Sequence, residues 1–230
     1  TVDAAERAAL YAELRAYAKD PANFAPEVRS AIAMLPTRFP EIAAKLTWGR
    51  VEFLSDAPGK NDRRFDLGGG GLTTTALAKL LDGARSDVVI QTPYLVLSDE
   101  AMALLRTVRT RGVRIRISTN SLASTDNLPA FSGYRSQRDE LLALGLEIHE
   151  YRPDPAIRRE IMQRYAALRE QAPVFALHAK TMVVDDAIVY VGTYNLDPRS
   201  ENLNTEVGVV IHDASQARAV RAAIERDMAP

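Results

Sequence analysis

The 230-residue chain contains no cysteine, which removes disulfides and thiolate metal sites and leaves His, Lys, Asp, Glu and hydroxyl groups to carry any chemistry. Charge of one sign is also missing. With 29 basic residues against 30 acidic ones, nothing in the balance announces a polyanionic partner, and no specific nucleic acid is expected. No stretch approaches the roughly 20 apolar residues that span a bilayer. The start, TVDAAERAAL, lacks the basic and apolar regions of a signal peptide, so the chain itself is expected to be soluble. That start, without methionine and already helical in style, reads as the beginning of a fragment. Lysine is scarce, found only at Lys19, Lys45, Lys60, Lys79 and Lys180.

What is present is a core-forming apolar fraction of 47% arranged in two periods. Ala5, Ala9, Leu10, Leu14 and Tyr17 recur at helical spacing behind Asp3, a suitable N-cap, and Pro26 to Leu35 repeats the pattern. The proline-punctuated PTRFPEIAAKLTW then reads as a connector, so residues 1–47 are expected to be an N-terminal helical arm. From Trp48 onward strands and helices alternate. Strand patterns RVEFLSD, DVVIQTPYLV, VRIRISTN and LEIHEY are separated by helices predicted over Thr75–Ala84, Asp99–Thr110 and Arg135–Leu144. A charged helix is predicted around Ile157–Arg169, then two strands joined by a short DDA turn, a strand EVGVVIH and a closing helix over Ser215–Met228. The alternation predicts an α/β protein, with residues 48–230 forming an α/β/α sandwich around a mixed, mostly parallel sheet. The glycine run 68–71 lacks the spacing of a phosphate-binding loop and follows PGKNDRR, which reads as disordered.

The chemistry concentrates in ALHAKTMVVDDAIVYVGTYNLDPRSENLNTE, residues 176–206. Strand alternation projects His178 and Lys180 to one side while Leu177, Ala179 and Thr181 point to the other. The second strand returns alongside, and Gly192 ends it so that Asn195 is aimed beside the pair. A phosphodiester needs what this set offers: an imidazole as nucleophile or proton donor, and ammonium and carboxamide groups for phosphoryl oxygens. The chemistry requires no metal and no cofactor. Glu206, heading the next strand, is the acceptor available to fix the second ring nitrogen of His178. Thr92, Tyr94, Asn120 and Ser121 fall at strand ends, where open α/β sheets bind ligands, and form a candidate substrate pocket. The arginines at 106, 109, 111, 114 and 116 read as a solvated helix end. His149 and His212 lack partner motifs and read as structural.

HAKTMVVD, followed six residues later by GTYN, resembles the His-x-Lys-x4-Asp-x6-Gly-Ser-x-Asn signature of the phospholipase D superfamily, with Thr193 where serine is usual. LNTE is similar to its glutamate element. WGRVEFLSDAPGK, TPYLVLSDEAMALLRTVRTRGVRIRISTNSLASTD, GYRSQRDELLALGLEIHEY and NLDPRSENLNTE extend the resemblance over about residues 48–215. Together they look like the second catalytic lobe of bacterial cardiolipin synthases. A departure is Phe131 and Ser132, where those enzymes tend to have a histidine before the Gly-Tyr pair.

The resemblance implies two facing lobes or subunits, one histidine forming a phosphohistidine and the other acting as general acid and base. His178 takes the second role, with the nucleophile in a first lobe or a second subunit. Lys180, Thr193 and Asn195 bind phosphate, Asp185 mainly braces the strand pair, and Glu206 orients His178. The implied substrate is a phospholipid resembling phosphatidylglycerol, exchanged at the surface of a bacterial inner membrane. A homodimeric phosphodiesterase or nuclease, and a non-catalytic phosphate-binding lobe, remain as alternatives.

Overall fold

The computed structural model describes residues 3–60, 70–155, 158–164 and 174–229. The chain forms two units, Thr1–Thr47 with Asp154–Phe175, and Trp48–Pro153 with Ala176–Pro230. In the first, helix α1 (Ala4–Lys19) starts where Asp3 accepts from the Glu6 N–H at 2.8 Å. Helix α2 spans Pro26–Ala43. It therefore runs through the stretch expected to be a connector. Pro36 and Pro40 each remove one backbone donor, but four residues apart they lie on one side of the helix, and the hydroxyl of Thr37 adds a bond to the Met34 carbonyl at 2.8 Å. Helix α6 (Arg158–Arg164) covers part of the expected charged helix, whose residues 157 and 165–169 lie outside the described residues.

The second unit is built on a sheet of β1 (Arg50–Ser55), β2 (Asp87–Gln91), β3 (Arg114–Asn120), β4 (Glu147–Tyr151), β5 (Thr181–Val184), β6 (Ile188–Gly192) and β7 (Val207–His212), in the order β1-β7-β6-β5-β2-β3-β4. Helices α3 (Leu72–Asp82), α4 (Asp99–Thr110), α5 (Leu128–Ala143), α7 (Pro198–Asn202) and α8 (Ala214–Met228) complete it. The sheet is mixed, as expected, but not mostly parallel. Only β2–β3 and β3–β4 pair in parallel, and the other four pairings are antiparallel. Parallel pairing needs a crossover long enough for a helix, which the β2-α4-β3-α5-β4 run provides and the three-residue β5–β6 turn does not.

Alternation sorts each strand between two cores. Val88, Ile90, Ile115, Ile117, Met182, Val184 and Tyr190 face Leu77 and Leu81 of α3, Leu105 and Val108 of α4, and Leu141 of α5. Val89, Val183 and Val189 face Ala217 and Ile224 of α8. Helices on both faces of one sheet make the α/β/α sandwich. Under α8, buried Arg116 pairs with Asp87 at 3.1 Å and Glu225 at 2.6 Å, and Arg221 pairs with Asp186 at 2.9 Å.

In the β5–β6 turn, closed by the Ala187 N–H donating to the Val184 carbonyl at 3.0 Å, the central residues Asp185 and Asp186 both lie at φ +52°, the left-handed conformation that a type I′ turn demands and that aspartate tolerates. The Asp185 carboxylate accepts from the Arg85, Ser86 and Asp87 N–H groups at 2.8, 2.8 and 3.0 Å and from the Ser86 hydroxyl at 2.8 Å. It thus fastens the hairpin to the start of β2. Gly192 and Gly208 stand opposite each other, and a Cβ on either would lie 2.1 to 2.4 Å from the Tyr190 side chain. Their role is to admit that ring, and Gly192 is not a φ > 0 turn residue.

Two outcomes follow from this packing. Gly192→Ala should destabilise the protein by about 1–3 kcal/mol in urea unfolding, with part of the loss recovered by Tyr190→Phe. Burial alone would raise the Asp185 carboxyl, but the bonds from Asp87, Ser86 and Arg85 outweigh it and hold the group below its ordinary 3.8. A carboxyl depressed by folding stabilises above its unfolded value and loses that contribution as pH falls through the folded one. Unfolding midpoints measured below about pH 4 should therefore fall less steeply for Asp185→Asn than for the wild type.

Candidate active site

His178 and Lys180 do not lie within β5, which starts at Thr181, but in the extended lead-in to it. The lead-in is held in two ways. At Lys180 the backbone ladder continues, since the Gly192 N–H donates to the Lys180 carbonyl at 3.1 Å. At Leu177 a side chain takes over: Asn120 accepts from the Leu177 N–H at 2.8 Å and donates to its carbonyl at 2.9 Å. Asn120 is buried at the end of β3, so its amide acts as a substitute strand partner immediately before His178. Leu177 is buried and the His178 side chain is exposed. Among the described residues the His178 ring has no hydrogen-bond partner.

Lys180 is half-buried and its ammonium donates to the His178 carbonyl at 3.1 Å. Burial pulls its pKa below the ordinary lysine value, and the carboxylates of Asp126, Glu206 and Asp197 act in the opposite direction. Beneath it lies a mostly apolar cavity of about 30 Å³, bounded by Leu77, Leu81, Met182, Tyr190, Tyr194 and Leu196.

Register carries the site across the sheet. Lys180 stands beside Gly192, and Gly192 pairs with Gly208, so Thr193 lies one residue further along and Glu206 two, at the same end. The Thr193 N–H donates to the Val207 carbonyl at 2.9 Å, and the Thr193 hydroxyl donates to the Glu206 carboxylate. Glu206 is 4% exposed. Its side-chain partner is thus Thr193, and the expected bond to His178 is not present among the described residues. Asn195 is fixed through its backbone, whose N–H donates to the Ser200 hydroxyl at 3.1 Å. Its side-chain amide oxygen is buried without a partner among the described residues.

The pocket candidates divide. Buried Thr92 donates to the Tyr94 carbonyl at 2.7 Å and accepts from the Leu196 N–H at 3.2 Å, stitching the end of β2 to the neighbour of Asn195. The Tyr94 hydroxyl donates to Asp126 at 3.0 Å, and burial together with that carboxylate raises its pKa. Asp126 therefore links Tyr94 to the surroundings of Lys180, whose charge it favours. Ser121 is engaged in its own turn, its N–H donating to Ser124 at 2.9 Å. Asp185 is at the opposite end of β5, roughly 16 Å from Lys180 at 3.3 Å per residue, where it braces the scaffold.

The arginine run contributes no free patch. Arg106 pairs with Glu140, Arg111 with Asp82, Arg114 with Glu147 and Arg116 with Asp87, while Arg109 donates to the carbonyls of Leu144 and Val113. His212 bonds Glu52 at 3.0 Å.

Sequence reasoning missed Asp56, which holds the Glu206 backbone in both directions: its N–H donates to the Glu206 carbonyl at 2.9 Å, and its carboxylate accepts from the Glu206 N–H at 3.0 Å. The same carboxylate accepts from the Thr73 N–H at 2.8 Å and so caps α3. That explains Gly71, where a Cβ would lie 2.2 Å from Asp56 Oδ1. Gly68 and Gly69 are outside the described residues. The only sequence signal was an aspartate ending the first strand.

With this geometry in view, comparisons with known proteins place the chain. A family model described as "Cardiolipin synthase, PLD-like domain" matches residues 77–228. An uncharacterized protein of Helicobacter pylori J99 is 30% identical over 96% of this chain and 41% of its own length. Cardiolipin synthase C of Escherichia coli K12 is 34% identical over 76% of this chain and 36% of its own. The chain thus spans about two fifths of the length of these two relatives and 25–29% of that of the Bacillus cardiolipin synthases it also matches. Among solved structures, Nuc of Salmonella typhimurium, a phospholipase D family member, superposes with a TM-score of 0.54 at 16% identity, over 77% of this chain and 94% of that one, a likeness of fold. Fold, register and family model agree, and the chain belongs to the phospholipase D-like domain family of the cardiolipin synthases.

Proposed function

We propose that the chain is the C-terminal catalytic lobe of a phosphatidyltransferase that joins phospholipids by ester exchange at phosphorus. The observation that carries this reading is unspent bonding capacity held at one end of three adjacent strands. His178 is exposed with no bond among the described residues, the Lys180 ammonium makes one bond to a carbonyl, and the buried Asn195 amide oxygen makes none. Carboxamide ends exchange on a flip, so Asn195 is able to present its NH₂ instead.

In this reading a second lobe supplies the nucleophilic imidazole, which bonds to phosphorus as the bond to the leaving alkoxide breaks. His178 gives that alkoxide a proton. The acceptor alcohol then returns a proton to His178 as its oxygen displaces the phosphohistidine. Lys180 and Asn195 bind the non-bridging oxygens on which charge gathers, with Thr193 and Glu206 beside them. A surface for the second lobe is available: Val51, Phe53, Val191 and Val207 are exposed, Phe53 at 72%, on the strip of β1, β7 and β6 facing the same way as α8 but beyond it. The strip ends beside Thr193 and Glu206.

A second reading, a homodimeric phosphodiesterase in which water replaces the alcohol, is favoured by the near-complete coverage of Nuc, a chain of about one lobe. The complete gene product, incubated with phosphatidylglycerol vesicles and followed by lipid mass spectrometry, separates the two. Transfer predicts cardiolipin, and His178→Ala should lower its formation about 10²- to 10⁴-fold. Phosphatidic acid alone, from a two-fold dimer, selects the second reading. Neither product from vesicle-bound wild type would count against both.

A further inference from the structure

Lys60 lies in the stretch read from sequence as disordered, yet its side chain is 3% exposed and that of its partner Asp56 is 0% exposed. The ammonium donates two bonds of 2.7 Å, to Asp56 and to the carbonyl of Ser200, and stands 6.0 Å from the centre of the Tyr194 ring. Each bond leads one residue further into the site. Asp56 grips the Glu206 backbone on both sides. Ser200 accepts from the Asn195 N–H through its hydroxyl, and its own N–H is held by Asp197 at 2.7 Å. One buried cation therefore joins the segment that carries Asn195 to the segment that carries Glu206.

Stability alone is a poor reason for such an arrangement. Desolvating an ammonium and a carboxylate is costly, and well-packed apolar residues in their place are often equally or more stabilising. An apolar side chain, however, has no directed bonds with which to set the spacing of two backbone segments. Lysine offers three donors and a compact charge, of which two donors are used here on partners 4 and 140 residues away.

We propose that Lys60 is a positioning residue for phosphoryl transfer: through Asp56 and Ser200 it sets the distance between Glu206 and Asn195, and hence the width of the site that receives the phosphoryl group. This inference rests on the function proposed above. Lys60 itself touches no substrate. It acts through Asn195, so its effect on turnover depends on Asn195 being present.

The test is a double-mutant cycle in the complete gene product, with turnover corrected for folded fraction. Lys60→Met should lower kcat/KM about 10- to 100-fold, the scale of an ångström-sized misplacement, and Lys60→Arg should restore part of it. In an Asn195→Ala background the same Lys60→Met change should cost less than about 3-fold, because residues acting as a unit are not additive. Backbone amide spectra provide a readout independent of turnover: inorganic phosphate should shift the Asn195 and Glu206 amides in the wild type and not in Lys60→Met. If Lys60→Met fails to fold, Asp56→Asn/Lys60→Met, which leaves no unpaired charge, takes its place. Wild-type kcat/KM in a folded Lys60 variant, or the full loss repeated in Asn195→Ala, overturns the proposal. An inactive wild type sinks the transferase reading instead, and the amide titration then decides the role of Lys60: unchanged phosphate responses in Lys60→Met overturn it.

Discussion

The backbone ladder across β5, β6 and β7 sets the geometry on which everything else depends. It aligns Lys180, Gly192 and Gly208 in one transverse row, with Thr193 and Glu206 just beyond. Because side chains alternate with period two, a slip of one residue would turn Lys180 from the α3 face to the α8 face and remove it from Glu206. Register is fixed at the far end, by the positive-φ turn at Asp185 and Asp186 and by the four bonds that tie Asp185 to the head of β2. A carboxylate with no chemistry of its own thus decides where the ammonium stands. The identity of Gly192 follows from the same row, since Tyr190 lies across it.

The electrostatics favour directed bonds over a diffuse positive field. The cations of the 106–116 run are engaged with acids and carbonyls, and Lys180 is surrounded by Asp126, Glu206 and Asp197. Such a site attracts anions weakly at long range, and a polyanion would meet repulsion from three carboxylates. In the reading proposed above, a diester with a single charge, placed by an ammonium, a carboxamide and an imidazole, meets less of that repulsion. Near-neutral net charge fits the same picture.

Elements governed by local chemistry were legible in the sequence. α4 appears at its predicted bounds because Ser98 caps it, Asp99 and Glu100 open it and its apolar residues keep helical period. The β5–β6 hairpin and the motif spacings were legible for the same reason. What depends on distant partners was not. His178 and Lys180 read as strand because their neighbours alternate, whereas the lead-in is held by the amide of Asn120, 57 residues away. Lys60 read as disordered because glycine, asparagine and charge surround it, and Ser200, 140 residues on, is what buries it. Alternating strands and helices suggested a sheet paired mostly in parallel, but alternation says nothing about strand order, and β5 enters beside β2 in the opposite sense.

That reversal explains why the site is where it is. The carboxyl ends of β2 and β3 and the amino end of β5 meet at the same edge of the sheet, so residues leaving parallel strands can reach the chain entering an antiparallel one. Asn120 uses this to clamp Leu177, and Thr92 uses it to hold Leu196. Both grips are on backbone, next to the functional residue and never on its side chain. The histidine is then carried on a rigid stem with its ring uncommitted. In the reading proposed above, that group gives a proton and takes one back within a turnover, and the fixed backbone on either side supplies its aim.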